Sequence, residues 1–353
     1  MIKSRADIPR AAAKFQNVFD GSCDNKNSAA VPSLYLTIPS PNDVMPFAYR
    51  GLLFSLEHDK VTSQLLARLF GCAQSAGTPV AILKGLCMGL FTGKTVIITG
   101  GGKATLKDGS AGSIGYGIDI AFAKEGANLV ITGRNVAKLE AAKESLEAEY
   151  GVKVLPVQAD VSAGQDNEAV VQNVIDQAIA EFGRIDAVVN NAQASASGVT
   201  IADHTMDQFN LAIYSGLYAT YLYMQKAYPH LKETKGSVVN FASGAGLFGN
   251  FGQCSYAAAK EGIRGLTRVA ANEWGPDGIN VNVICPLAWT AQLEKFEQAY
   301  PDAFKANVKM PPMGHYGDVE KEIGRVCVQL ASPDFKYMSG ETLTLEGAMG
   351  QRP

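Results

Sequence analysis

Ser243, Tyr256 and Lys260 fall within one stretch, VNFASGAGLFGNFGQCSYAAAK, residues 239–260. The stretch begins as a β-branched run and ends in alanines that suit a helix. Residues four apart on a helix share a face, so the Tyr256 phenol and the Lys260 ammonium point into one space. A phenol there suits proton transfer to or from a carbonyl oxygen. Its unperturbed pKa of about 10 is too high for that work near neutrality. Moving it toward 7 takes about three units, roughly 4 kcal/mol of preference for the phenolate, and an ammonium one turn away has the required sign. Ser243, at the end of the preceding strand, is placed to hydrogen-bond an oxygen on which charge develops. With thirteen tyrosines in the chain, Tyr-x-x-x-Lys alone also fits an exposed helix pair, and Ser243 an ordinary strand end.

A second group of residues suits a dinucleotide. KTVIITGGG runs from a strand into glycines, and after KATLKDGSA the chain resumes as the helical GSIGYGIDIAFAKEGANLV. Gly100, Gly101, Gly102, Gly112, Gly115 and Gly117 let backbone approach a pyrophosphate, and Ser113 and Ile114 open a helix whose amides point at it. A structural loop is the alternative. The next strand ends in ITGRN, with no acid at its tip for an adenosine ribose. Gly133 leaves room for a 2′-phosphate and Arg134 offers it charge, which argues for NADP(H). Asp160, followed by Val161, either accepts from the adenine amine or caps a helix. A cationic nicotinamide beside Tyr256 would add to the pull of Lys260 on the phenol.

The elements that must position these groups are legible from residue 94 onward. Strand-like runs KTVIITG, NLVITG, KVLPVQADV, IDAVVNN, GSVVNFAS, GINVNVICP and ETLTLEG alternate with helical patterns. Between two of them, residues 166–182 carry Val170, Val171, Val174, Ile175, Ala178, Ile179 and Phe182 at helical spacing. The alternation predicts an α/β, Rossmann-type, doubly wound sheet of seven parallel strands, with its ligand crevice beyond their carboxyl ends. Residues 1–90 differ: a polar start, VPSLYLTIPSPND, then Val61, Leu65, Leu66, Leu69 and Phe70 at helical spacing. That reads as a helical extension, too small for its own core, packing on the 91–353 catalytic domain or on a neighbouring subunit, with disorder over residues 1–30 as the alternative.

The bulk composition narrows the partners. The chain has 353 residues, 47% of them apolar, and a formal charge of -3 from 31 basic and 34 acidic residues. Interspersed charge gives neither a nucleic-acid stripe nor a polybasic membrane patch. Cys23, Cys72, Cys87, Cys254, Cys285 and Cys327 lie far apart and the chain has four histidines, which argues against a metal site or a disulfide framework. No signal peptide or membrane span is evident, so a cytoplasmic location is expected.

Thr99-Gly100, Asn190-Asn191-Ala192, Ser243 thirteen residues before Tyr256, Lys260, Pro286 and SGETLTLEG together resemble the short-chain dehydrogenase/reductase family over about residues 91–353. The resemblance implies that Ser243, Tyr256 and Lys260 are the catalytic trio, and that Tyr256, Lys260, Asn191 and Pro286 also contact the nicotinamide cofactor. Several positions depart from the family pattern. Gly216 stands where a catalytic Asn is usual, Gln193 and Leu287 replace glycines, Thr290 lies one residue closer to Pro286 than the usual carboxamide-binding Thr, and KATLKDGSA lengthens the cofactor turn. The SIGYGI tail is similar to that of enoyl reductases, whose wider Tyr-to-Lys spacing this chain lacks.

The substrate lid is expected in LAWTAQLEKFEQAYPDAFKANVKMPPMGHYG, where Trp289, Leu293, Phe296, Tyr300, Phe304, Met310 and Met313 could line a slot for a small apolar molecule or pack on one another. His315 reads as a loop residue. Within the family the chain resembles bacterial hydroxysteroid dehydrogenases of the 20β type, which implies a cortisol-like steroid, NAD(H) and a homotetramer. The alternatives are a 3-oxoacyl-thioester reductase and a non-catalytic dinucleotide-binding sensor or scaffold. For the reductase, a docking patch of Lys295, Lys305 and Lys309 is offset by Glu294, Glu297 and Asp302.

Overall fold

A computed structural model describes residues 89–350, apart from 163 and 165. The expected extension over 1–90 therefore lies almost wholly outside the described residues, as do Cys23, Cys72 and Cys87. The elements run β1 (Thr95–Thr99), α1 (Ile114–Ala123), β2 (Asn128–Gly133), α2 (Val136–Tyr150), β3 (Val154–Gln158), α3 (Asn167–Phe182), β4 (Ala187–Asn190), α4 (Met206–Ala212), α5 (Ala219–Thr234), β5 (Ser237–Phe241), α6 (Gly244–Phe248), α7 (Cys254–Trp274), β6 (Asn280–Pro286), α8 (Ala291–Ala299), α9 (Pro301–Asn307), α10 (Arg325–Ala331) and β7 (Thr342–Leu345). A π-helical segment, Ile213–Tyr218, joins α4 to α5, and another, Val319–Gly324, leads into α10.

All seven expected strands form one sheet in the order β3-β2-β1-β4-β5-β6-β7, every pair parallel. Strands covered on both faces read as unbroken apolar runs, and β1 is buried at each of its five positions. Ile98 packs in one layer with Ile118, Phe122 and Leu129, whereas Ile97 packs in the other with Val130, Val174 and Tyr223. The expected apolar stripe becomes α3, which ends at Gly183 in the left-handed region, φ 71°, where glycine adopts that conformation without penalty.

Chain order reverses between β1 and β4, so a crevice opens beyond Thr99 and Asn190. Buried amides tie its far wall together. Asn190 Nδ2 donates to Asn240 Oδ1 at 2.9 Å, and Asn240 Nδ2 donates to Thr267 Oγ1 at 2.9 Å, linking β4, β5 and α7. One buried acid stands out on the near side. Asp119 of α1 is fully buried, and neither carboxyl oxygen has a hydrogen-bond partner among the described residues. A Cβ on Gly101 would come within 2.7 Å of it, so the acid lies directly beneath the glycine turn. Burial pushes its pKa well above the usual carboxylate range.

Candidate active site

Strand β5 and helix α7 bring the predicted trio together. Ser243 follows β5 and caps α6, its Oγ accepting the Ala245 N–H at 3.2 Å. Tyr256 and Lys260 lie on the opening turns of α7. Lys260 is 4% exposed; its Nζ donates to the Phe241 carbonyl at 2.7 Å and stands 5.4 Å from the centroid of the Tyr256 ring. The end of β5 thus anchors the amine at Phe241 and presents Ser243, which shares a side-chain hydrogen bond with the Tyr256 phenol.

Burial acts on both titratable members of the trio. Burial pushes the Tyr256 phenol above its usual value, and the Ser243 hydrogen bond pulls it part of the way back. Burial also lowers Lys260 to about 7, because a low-dielectric site disfavours the ammonium. The amine is only partly charged near neutrality and bonds a backbone carbonyl rather than the phenol. Lys260 thus brings only part of a positive charge near Tyr256 in the dinucleotide-free protein.

A cleft of about 650 Å³ occupies the crevice, within the range of small-molecule and cofactor sites. Of the residues expected to hold a dinucleotide, Gly100, Ser113, Ile114, Arg134, Asp160, Val161 and Asn191 line it, whereas Tyr256, Lys260 and Pro286 do not. Thr99 rivets the two strands at the switch point: its Oγ1 accepts the N–H groups of Asn191 and Ala192, both at 2.9 Å, and Asn191 Nδ2 donates to the Thr99 carbonyl at 2.8 Å. Gly100 turns the chain at φ 79°. A Cβ on Gly115 would stand 2.1 Å from the Gly100 carbonyl oxygen, so only glycine lets α1 begin against the turn. That helix N-terminus, its cap Ser113 accepting the Tyr116 N–H, suits a pyrophosphate, and the residues present fit a dinucleotide.

Asp160 lines the cleft and accepts the Ser162 N–H and Oγ–H at 2.9 and 2.5 Å. Those bonds first, and the Arg134 charge in addition, hold its carboxyl below the usual value. The cap position of α3 belongs to Asp166, so the helix-cap reading of Asp160 falls. Two cations in the cleft were missed as cofactor residues. Lys138, in the first turn of α2 after the cap Asn135, lines the same cleft as Arg134. Lys295, expected in a docking patch, lines it from the lid.

The departures at 193 and 216 prove to be one feature. Gly216 is buried in the first π-helical segment, and a Cβ there would meet Gln193 Cδ at 2.6 Å. The Gln193 carboxamide fills that space, its Nε2 donating to the Ala212 carbonyl at 3.4 Å. Ser215 holds the same loop: its Oγ accepts the Ala194 N–H at 3.0 Å and donates to the Leu211 carbonyl at 2.5 Å. In the lid, Trp289, Phe304, Phe296 and Tyr316 pack on one another with ring centroids about 6 Å apart, while Tyr300, Met310 and Met313 are exposed. None of the seven expected slot residues lines the cleft, to which the lid contributes Thr290, Ala291, Gln292 and Lys295. His315 bonds Glu322 at 3.0 Å in a loop.

Fold and cleft together define a dinucleotide-dependent oxidoreductase, and comparison with known proteins agrees. A family model described as enoyl-(acyl carrier protein) reductase matches residues 109–349. A 12α-hydroxysteroid dehydrogenase from a Clostridium species is 66% identical over 266 residues, 75% of this chain and 100% of the relative. A 3-oxoacyl-[acyl-carrier-protein] reductase of Chlamydia trachomatis is 32% identical over 74% of this chain and 99% of its own length. The crystal structure of levodione reductase superposes with a TM-score of 0.66 at 31% identity, covering 74% of this chain and 98% of that one. The chain belongs to the short-chain dehydrogenase/reductase family and is an enzyme, which removes the non-catalytic alternative. The relative with 66% identity is of the 12α type rather than the 20β type expected from the sequence.

Proposed function

We propose that the chain interconverts a ketone and a secondary alcohol on a hydroxysteroid, at the 12α position rather than C20. The observation that carries this reading is the 66% identity that extends over the whole of a 12α-hydroxysteroid dehydrogenase. The nicotinamide cofactor, when bound, supplies or accepts the hydride. Tyr256 passes the proton to or from the substrate oxygen, Ser243 hydrogen-bonds that oxygen, and Lys260, fixed by the Phe241 carbonyl, positions the cofactor ribose and in its protonated fraction adds positive charge. Arg134 and Lys138, with no acid at the tip of β2, favour NADP(H) over the NAD(H) implied by the 20β resemblance.

The full-length chain mixed with a 12-oxosteroid and NADPH is expected to consume the reduced cofactor, and faster than with NADH. A 20-oxosteroid and an acetoacetyl thioester serve as competitors. Failure to turn over any oxosteroid with either cofactor sinks the steroid reading, and preference for the thioester selects the acyl-reductase alternative. Lys295 in the cleft leaves that alternative a still thinner docking patch. Tyr256→Phe is expected to reduce turnover by about a thousandfold or more while leaving fluorescence-detected NADPH binding nearly intact. We also propose a cytoplasmic homotetramer, which light scattering from the purified chain tests. No helix among the described residues is long and apolar enough to cross a membrane.

A further inference from the structure

The insertion at 103–111 is not a loose lengthening of the cofactor turn. It folds back as a small hairpin: Thr105 bridges Ala111, the Leu106 N–H donates to the Ser110 carbonyl at 2.9 Å, and the Gly112 N–H donates to the Ala104 carbonyl at 2.7 Å. The hairpin then grips the lid helix α8 at two points. The Ala291 N–H donates to the Gly112 carbonyl at 2.8 Å, and the Lys107 N–H donates to the Glu294 carboxylate at 3.2 Å. Packing at the joint is close, since a Cβ on Gly112 would stand 3.0 Å from the Ala291 Cβ.

This geometry decides which face of α8 looks at the cofactor turn. Ala291 is against the turn, and Lys295, four residues on, shares its face. Lys295 lines the cleft alongside Ser113, Ile114 and Gly115, the start of α1. Its neighbour Glu294 is drawn off to the hairpin amide, and Lys295 has no ion-pair partner among the described residues. A cation beside a helix N-terminus adds to the same attraction for an anion.

We propose that Lys295 is a phosphate-binding residue: carried on the lid and held against the glycine turn by the 103–111 hairpin, it covers the dinucleotide pyrophosphate from the side opposite α1. The lid is then part of the cofactor site as well as the substrate site. The inference rests on the dinucleotide reading of the cleft.

The test is the dissociation constant of NADH and of NADPH, read by fluorescence of the reduced ring without turnover. Lys295→Gln, whose side chain opens into the cleft rather than the core, is expected to weaken both about five- to tenfold, because both carry the same pyrophosphate, and the difference shrinks at high salt. Arg134→Gln and Lys138→Gln are expected to weaken NADPH alone. Glu294→Ala, which removes one of the two grips, is expected to weaken both slightly, and to add little in the Lys295→Gln background since both changes act on one contact. Unchanged affinity in Lys295→Gln overturns the inference, as does a loss confined to NADPH, which would assign the amine to the 2′-phosphate. Additive losses remove the hairpin from it. A wild-type chain that binds neither dinucleotide overturns the cofactor reading and this inference with it.

Discussion

At the scale of single residues, the buried amine of Lys260 ties the reaction to stability. Its pKa falls from 10.5 to about 7 on folding, so between those values the unfolded chain holds a proton that the folded chain has released. Stability of the dinucleotide-free protein therefore rises with pH across that window, by up to about 1.4 kcal/mol per unit from this group. Lys260→Met is expected to flatten that rise in urea titrations at pH 7 and 9; parallel curves for the two proteins would count against it. The Gln193–Gly216 pair makes a second prediction. Gly216→Ala pushes a methyl group against the Gln193 carboxamide, the movable end of its side chain, and is expected to cost less than about 1 kcal/mol because alanine's helix preference offsets the displacement. Adding Gln193→Gly should recover part of the loss, so the two changes are coupled in a thermal-melt cycle. Sequence exposed both departures but not their connection, because residues 193 and 216 meet only when the segment after β4 folds over the π-helical turn.

At the scale of elements, the seven strands were legible because each is a β-branched run bounded by helical repeats, and a sheet buried on both faces demands that pattern. The trio was legible because it lies on one strand end and one helix start. The hairpin was not. Its arms are joined by the single bridge Thr105–Ala111, too short for any alternation, although Asp108-Gly109 is a turn signal. The π-helical segment was hidden as well, since it is six residues long and continuous with α-helix on both sides, too short for its own period to show. The lid aromatics were correctly seen as apolar but could not be assigned a side, and they turned inward on one another. Gly112→Val would both spread the hairpin arms, its Cβ 2.7 Å from the Thr105 carbonyl carbon, and wedge them from α8, 3.0 Å from the Ala291 Cβ. Weaker dinucleotide binding and a higher steroid KM are expected together, and wild-type values for both would show that hairpin and lid act separately.

At the scale of the whole molecule, the order reversal of the sheet sets where the crevice opens, and Gly100, Ser113, Ile114, Arg134, Asp160 and Val161 converge on it. Asp119, in the core below that crevice, had no signal in the sequence, since an acid at that helical position looks like a solvated one. Its folded pKa is raised, so the unfolded chain gives up the proton first, and Asp119 lowers stability as pH climbs above the ordinary carboxylate range. Asp119→Asn is expected to raise the melting temperature more at pH 8 than at pH 5, and an equal gain at both would mean the acid does not titrate on unfolding.

The same acid bears on the coenzyme seat through its proton. Burial favours the neutral carboxyl, so the backbone proposed to welcome a diphosphate has no negative charge set beneath it.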